Sequence, residues 1–227
     1  MKIIECAEAE FDQKVATLVT KRIMKWKLTH KDDFYLGLTG GKTAQGAYAL
    51  LSASKTIDWG EVMCLLTDER FVPSDSDDSN LKMLLDVLVD PAGIPDYNVV
   101  GFDTESLSFE ESAEEMSLEL QDLLEEKGYL FDLLLLGVGP DGHIASIFPG
   151  SEALTTKELA TTSETDEFAV KKRLTFSLKA VSKAKEVILL LKGEEKQDMF
   201  EKLQGQGGLP VQLLIANVEK VTVVFGS

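Results

Sequence analysis

The run FDLLLLGVGPDGH (131–143) limits the fold more than any other stretch. Leu133–Leu136 are consecutive large apolar residues, with Phe131 just before them. A strand points successive side chains to opposite faces, so such a run needs cover on both sides. A parallel sheet between two layers of helices supplies that cover. The run then breaks into three glycines, a proline, an aspartate and one of only two histidines in the chain. A turn alone does not need the histidine.

The same order of apolar run, then helical spacing, recurs along the chain. Residues 10–27 carry Phe11, Val15, Leu18, Val19, Ile23 and Met24 at helical intervals. FYLGLTGG (34–41) reads as a strand running into glycines, and TAQGAYALLS (43–52) as a helix. EVMCLLTDER (61–70) reads as one strand ending in charge. SNLKMLLDVLVD (79–90) reads as a helix capped by Ser79 or Asp78, and NVVGF (98–102) as a short strand. The acidic stretch 108–128 reads as a long helix ended by Gly128. Strands follow at 131–138, 185–193 and 218–226, with a helix at 194–205. This alternation predicts an α/β fold over residues 1–227, one domain with a Rossmann-like, mainly parallel sheet flanked by helices. Ligands of such sheets bind beyond the carboxyl ends of the strands. TGGKT, TDER and GPDGH all fall at predicted strand ends, so all three are expected to face one cleft.

Composition excludes several classes. A formal net charge of −16 repels a phosphate polymer, so nucleic acid is not an expected partner. No segment reaches the roughly 18 apolar residues of a membrane span. The N-terminus has no long apolar region. Cys6 and Cys64 are far apart and lack metal-ligand spacing, so neither a disulfide framework nor a zinc site is expected. DSDDSN (75–80) suggests a calcium loop, but the glycine and later glutamate are misplaced. These readings lead to an expected cytoplasmic, reducing location.

In LTGGKT (38–43), Gly40 and Gly41 allow backbone N–H groups to approach a ligand at a helix N-terminus. Lys42 and Thr43 add a charge and a hydroxyl. An ordinary βα turn is the competing reading. In TDER, Asp68 and Glu69 are candidate bases or acceptors, and Arg70 a stabiliser of negative charge. His143 is the natural proton carrier near neutral pH, and Asp141 two residues earlier can orient it. Arg173 in KKRLTFSL and Lys196 in GEEKQ are further cations; each alone reads as a surface charge. No GxSxG elbow is present.

GVGPDGHIASIFPGS (137–151) resembles the signature of the 6-phosphogluconolactonases, G-x-G-x-D-G-H-x-A-S-x-F-P. TDERFVPSDSDDSN resembles that family's D-E-R-x-V-P…D-S-N segment, and KKRLTFSL and KGEEKQDMF its R-I-T-x-x-L and G-x-x-K segments. LTGGKT stands where the family has S-G-G-S-T-P. Lys42 replaces the usual serine, Ala44 the usual proline, and Ser76 a frequent histidine. The related glucosamine-6-phosphate deaminases read D-E-Y where this chain has Asp68-Glu69-Arg70, and A-F-N-E-P where it has Ala145–Pro149.

The resemblance implies a fold of the sugar-phosphate isomerase/deaminase group. It also implies hydrolysis of 6-phosphoglucono-1,5-lactone in the oxidative pentose phosphate pathway, without a cofactor or metal. It points to a small phosphosugar lactone as ligand and to a functional link with glucose-6-phosphate dehydrogenase. In that frame His143, Asp141, Arg70 and Asp68 are expected to be catalytic. Gly40, Gly41, Lys42, Thr43, Arg173 and Lys196 are expected to hold the phosphate. A deaminase or isomerase of the same fold, or a non-catalytic phosphosugar sensor, are the rival readings.

Overall fold

The structure, a computed structural model, describes residues 1–203, 205 and 207–227. Its chain runs β1 (Lys2–Cys6), α1 (Glu8–Lys27), β2 (Phe34–Leu38), α2 (Lys42–Ser52), β3 (Val62–Leu66) and β4 (Asp68–Arg70). Then come α3 (Asn80–Leu84), α4 (Asp90–Ala92), β5 (Val99–Val100), α5 (Phe109–Lys127) and β6 (Leu133–Gly137). The last part is β7 (Ala160–Glu164), β8 (Lys172–Phe176), α6 (Leu178–Val181), β9 (Val187–Lys192), α7 (Gln197–Lys202), α8 (Pro210–Asn217) and β10 (Val221–Gly226).

Seven strands form one sheet in the order β1-β10-β9-β6-β2-β3-β5, and every pairing is parallel. The leucine run behaves as its composition requires. Leu133 and Leu135 enter the apolar layer under α1 and α2, while Leu134 and Leu136 enter the opposite layer with α5. All four are fully buried, each contributing on the order of 2 kcal/mol by the area removed from water. The chain adds β3 and β5 on one side of β2, then returns to add β6 on the other. The strand order therefore reverses between β2 and β6, which is where open α/β sheets leave a crevice.

Three differences from the sequence expectation matter. The segment 61–70 is two strands rather than one. Thr67 breaks it, donating both its N–H and its hydroxyl to Leu38 O. β4 then leaves the large sheet for a three-stranded antiparallel sheet, β4-β8-β7, that sequence alone did not suggest. The helix expected over 79–90 is α only over Asn80–Leu84, capped by the Ser79 hydroxyl. It widens to a π turn at Leu85–Val89 before α4. Pro91 explains this, since its ring cannot donate to the helix and crowds the carbonyl four residues back. The helix expected over 194–205 is a 3-10 turn followed by α7, and Gln204 lies outside the described residues.

The long acidic helix α5 matches its expected bounds. A reciprocal Ser108–Glu111 capping box starts it, and Gly128 ends it at φ 76°. No described helix is long and apolar enough to cross a membrane.

Candidate active site

The loops after β2 and β6 open side by side at the reversal point. After β2, the Tyr48 hydroxyl donates to Thr39 O and accepts from Thr39 N, pinning the chain as it leaves the sheet. A Cβ on Gly40 would lie 2.2 Å from the Asn80 amide, so this close approach needs glycine. Gly41, at φ 81°, turns the chain into α2, whose N-terminus has no side-chain cap. Its first N–H groups are free for an anion. Gly40, Gly41 and Thr43 line the cleft beyond. Lys42 does not: it occupies the first helical position of α2 with an exposed side chain outside the cleft lining. The structure thus separates Lys42 from the cations expected beside it.

After β6, Asp141 Oδ1 accepts from the His143 backbone N–H at 3.1 Å and sits 2.5 Å from His143 Nδ1. Gly139 N–H donates to His143 O, and Gly142 N–H to Gly139 O, so the turn folds back on itself. The imidazole lies against Gly139. A Cβ there would be 2.1 Å from the ring and 2.8 Å from Asp141 Oδ1. Asp141 is therefore a partner of His143 rather than a wall of the cleft. From the neighbouring β9 side, Lys196 Nζ donates to Val138 O at 3.0 Å. Burial holds its ammonium below an ordinary lysine's pKa, with Glu195 and Asp141 opposing.

The small sheet forms the opposite wall, and it does so by strand alternation. Asp68 and Arg70 on β4 line the cleft, while Glu69 between them points away. On β8, Arg173 lines the cleft, and Leu174 and Phe176 enter the apolar core. Asp68 Oδ2 accepts from Ser146 Oγ at 2.8 Å, tying the two walls together.

Glu69 has a different task from the one its motif suggests. Its two oxygens accept from the backbone N–H groups of Arg70, Asn80 and Leu81 and from Ser79 Oγ. It anchors the start of α3. Burial raises its pKa, and these donors pull the other way.

Arg70 and Arg173 are directly opposed across β4 and β8. Like charges in that register repel. Burial, then the proximity of Arg70, lowers the Arg173 pKa. Arg70 spends one nitrogen on Asp78 O at 2.7 Å, while its Nε is buried with no acceptor. Asn80, held by Nδ2 on Asp68 O, likewise keeps a buried Oδ1 without a donor. The pair of arginines, Lys196 and the uncapped helix make an anion-seeking end in a chain of net charge −16.

The cleft has a volume of about 250 Å³, at the small end for ligand sites. Ala145 in its wall has φ 48°, the one positive φ of a non-glycine among the described residues. Strain of this kind gathers at functional sites. Phe168, from the β7–β8 hairpin tip, closes one side. Its ring is 5.7 Å from the His143 ring and 6.0 Å from Phe148, and the Arg173 guanidinium lies 5.4 Å from its centroid. Among the described residues, no group of three or more His, Cys, Asp or Glu could hold a metal ion.

The structure thus brings Gly40, Gly41, Thr43, Asp68, Arg70, His143, Arg173 and Lys196 to one cleft. Sequence reasoning missed Asn80, Ser146 and Phe168 as contributors. Asn80 and Ser146 stood in quoted motifs but their partners are far away in sequence. Phe168 carried no signal.

A parallel sheet with a histidine–aspartate pair and a cation-lined cleft at its reversal point defines an α/β protein whose cleft suits a small anionic ligand. The chain belongs to the glucosamine-6-phosphate isomerases/6-phosphogluconolactonase family, which it matches over residues 7–223. It is 34% identical to the 6-phosphogluconolactonase of Thermotoga maritima over 82% of each chain. A crystal structure of 6-phosphogluconolactonase from that organism superposes with a TM-score of 0.88 at 31% identity, covering 99% of this chain and 98% of the other. A monomeric glucosamine-6-phosphate deaminase superposes with a TM-score of 0.85 at 22% identity, covering 100% and 97%. The shared fold therefore does not choose the chemistry.

Proposed function

We propose that the chain is a 6-phosphogluconolactonase, hydrolysing 6-phospho-D-glucono-1,5-lactone to 6-phosphogluconate in the oxidative pentose phosphate pathway. The observation that carries this reading is the His143–Asp141 pair facing the Arg70, Arg173 and Lys196 cations across one small cleft. With Nδ1–H given to Asp141, Nε2 holds a lone pair and acts as the base. It takes a proton from water as the water oxygen bonds to C1, and the carbonyl oxygen becomes an alkoxide. Arg70 stabilises that charge. The C1–ring oxygen bond then breaks, and Nε2–H returns its proton to the departing ring oxygen. One water is consumed and a carboxylic acid is left. Asp68, held by Ser146, receives the sugar hydroxyls.

The 6-phosphate lies at the other end, against the N–H groups of Gly40, Gly41 and Thr43, with Arg173 and Lys196 beside it. Lys42 serves only through its backbone. A functional link to glucose-6-phosphate dehydrogenase follows from the chemistry, because oxidation at C1 of the phosphosugar makes this lactone. A cytoplasmic location accords with Cys6 and Cys64 being unpaired.

The test is a coupled assay. Fresh lactone is generated with glucose-6-phosphate dehydrogenase, and 6-phosphogluconate is followed with its own dehydrogenase against the uncatalysed rate. Wild type is expected to accelerate the reaction, and His143→Ala to lose on the order of 100- to 10,000-fold in kcat. No acceleration by folded protein, with ammonia released from glucosamine 6-phosphate instead, would transfer the site to the deaminase reading.

A further inference from the structure

Phe168 lies outside every motif that singled out the site, yet it touches both of its working ends. Its ring meets the His143 imidazole edge-on, at 83° and 5.7 Å between centroids. The guanidinium of Arg173 sits 5.4 Å from the same centroid. Phe148 packs against His143 at 5.0 Å and against Phe168 at 6.0 Å, completing an aromatic wall. In the proposed reaction, C1 of the substrate is at His143 and its phosphate at Arg173. One side chain in contact with both residues lies alongside the sugar ring that joins C1 to the phosphate.

The hairpin tip that presents Phe168 has little other reason to hold it inward. Residues Glu164, Asp166 and Glu167 around it are acidic, and Asp166 pairs with Lys171 in solvent. Phe168 is still 38% exposed, so the tip leaves a large apolar surface open toward the cleft instead of burying it in the core. An apolar face of this kind suits the C–H face of a pyranose-sized ring. It gives nothing to a bare phosphate.

We infer that Phe168 is a specificity-determining residue that packs against the ring of the phosphosugar between the base and the phosphate subsite. This rests on the lactonase reading for the direction in which the substrate lies. Its consequence is a split between ligands. Those with a carbon skeleton use Phe168; those that are only an anion do not.

The experiment is a pair of calorimetric titrations, with 6-phosphogluconate and with inorganic phosphate, on wild type, Phe168→Ala and Phe168→Leu. Lactonase kinetics are measured on the same proteins. Phe168→Ala is expected to weaken 6-phosphogluconate binding and raise the lactone KM about tenfold, equivalent to about 1.4 kcal/mol. Its affinity for inorganic phosphate should stay within twofold of wild type, and Phe168→Leu should recover most of the loss. Equal weakening for both ligands would mean that Phe168 merely props Arg173, and would overturn the inference. So would unchanged 6-phosphogluconate affinity. If wild type binds 6-phosphogluconate but turns nothing over, the lactonase reading fails alone, and the same two titrations still decide the role of Phe168.

Discussion

The two sheets supply the cleft by different routes. The large parallel sheet contributes only where its strands end. Inside, β6 is unbroken leucine; its contribution to the cleft begins at Gly137, with main-chain turns and the His143–Asp141 pair. The small antiparallel sheet contributes from within its strands. Asp68, Arg70 and Arg173 face the cleft, while Glu69, Leu174 and Phe176 on the other face bind the sheet to the rest of the molecule. The lesson is that function and folding are separable at the large sheet and joined, residue by residue, at the small one.

The largest test of that contrast is at Gly139. Gly139→Ala places a methyl where the His143 ring now lies. A displaced base is expected to cost about 100-fold or more in kcat. The melting temperature should change little, because the turn lies beyond the buried strand. Unfolding of this variant at assay temperature would break the claimed separation.

Glu69→Gln is the counterpart on the small sheet. It removes a buried carboxylate with four donors around it. A loss of roughly 2–4 kcal/mol is expected in chemical denaturation, with activity falling as the fold does. A variant of wild-type stability but low activity would instead make Glu69 part of the chemistry.

The smallest effect is at Lys196, a half-buried cation whose pKa burial depresses. A base depressed in the folded state costs stability while charged. The stability is recovered as pH rises through the folded pKa and is complete above the unfolded one. Lys196→Met should therefore raise the ligand-free melting temperature at neutral pH by about 1 °C, since the group is partly screened by solvent. It should also weaken 6-phosphogluconate binding about tenfold. In wild type, that binding should fade on the alkaline side before an ordinary lysine would titrate. A titration flat to that point would remove Lys196 from the phosphate subsite.

The same contrast governs what the sequence reveals. β2, β3, β6, β9 and β10 are apolar enough to read directly, and the loaded loops after β2 and β6 follow from them. β1, with its exposed edge, has no such pattern. β4 has only three residues, and β4, β7 and β8 carry polar or charged residues at buried positions too, so their period of two is masked. The break at Thr67 depends on a hydrogen bond to Leu38, a contact no local pattern encodes. At the site, residue types with strong chemistry stood out, as His143, Asp141 and Arg70 did. Ser146 on Asp68 and Phe168 on His143 are products of folding. Lys42 shows the converse, a charge in the right loop whose position at the start of α2 aims it elsewhere.

One pairing described above also bears on how the molecule is made. β1 joins the large sheet only through β10, with Lys2 opposite Thr222 and Cys6 opposite Gly226. β1 is synthesised long before β10, so it must wait for β10 before it has a neighbour in the sheet. Until then it offers an unpaired edge to anything nearby, and loop closure over so long a separation is slow. The edge of the native sheet is thus completed by a pairing between segments far apart in sequence.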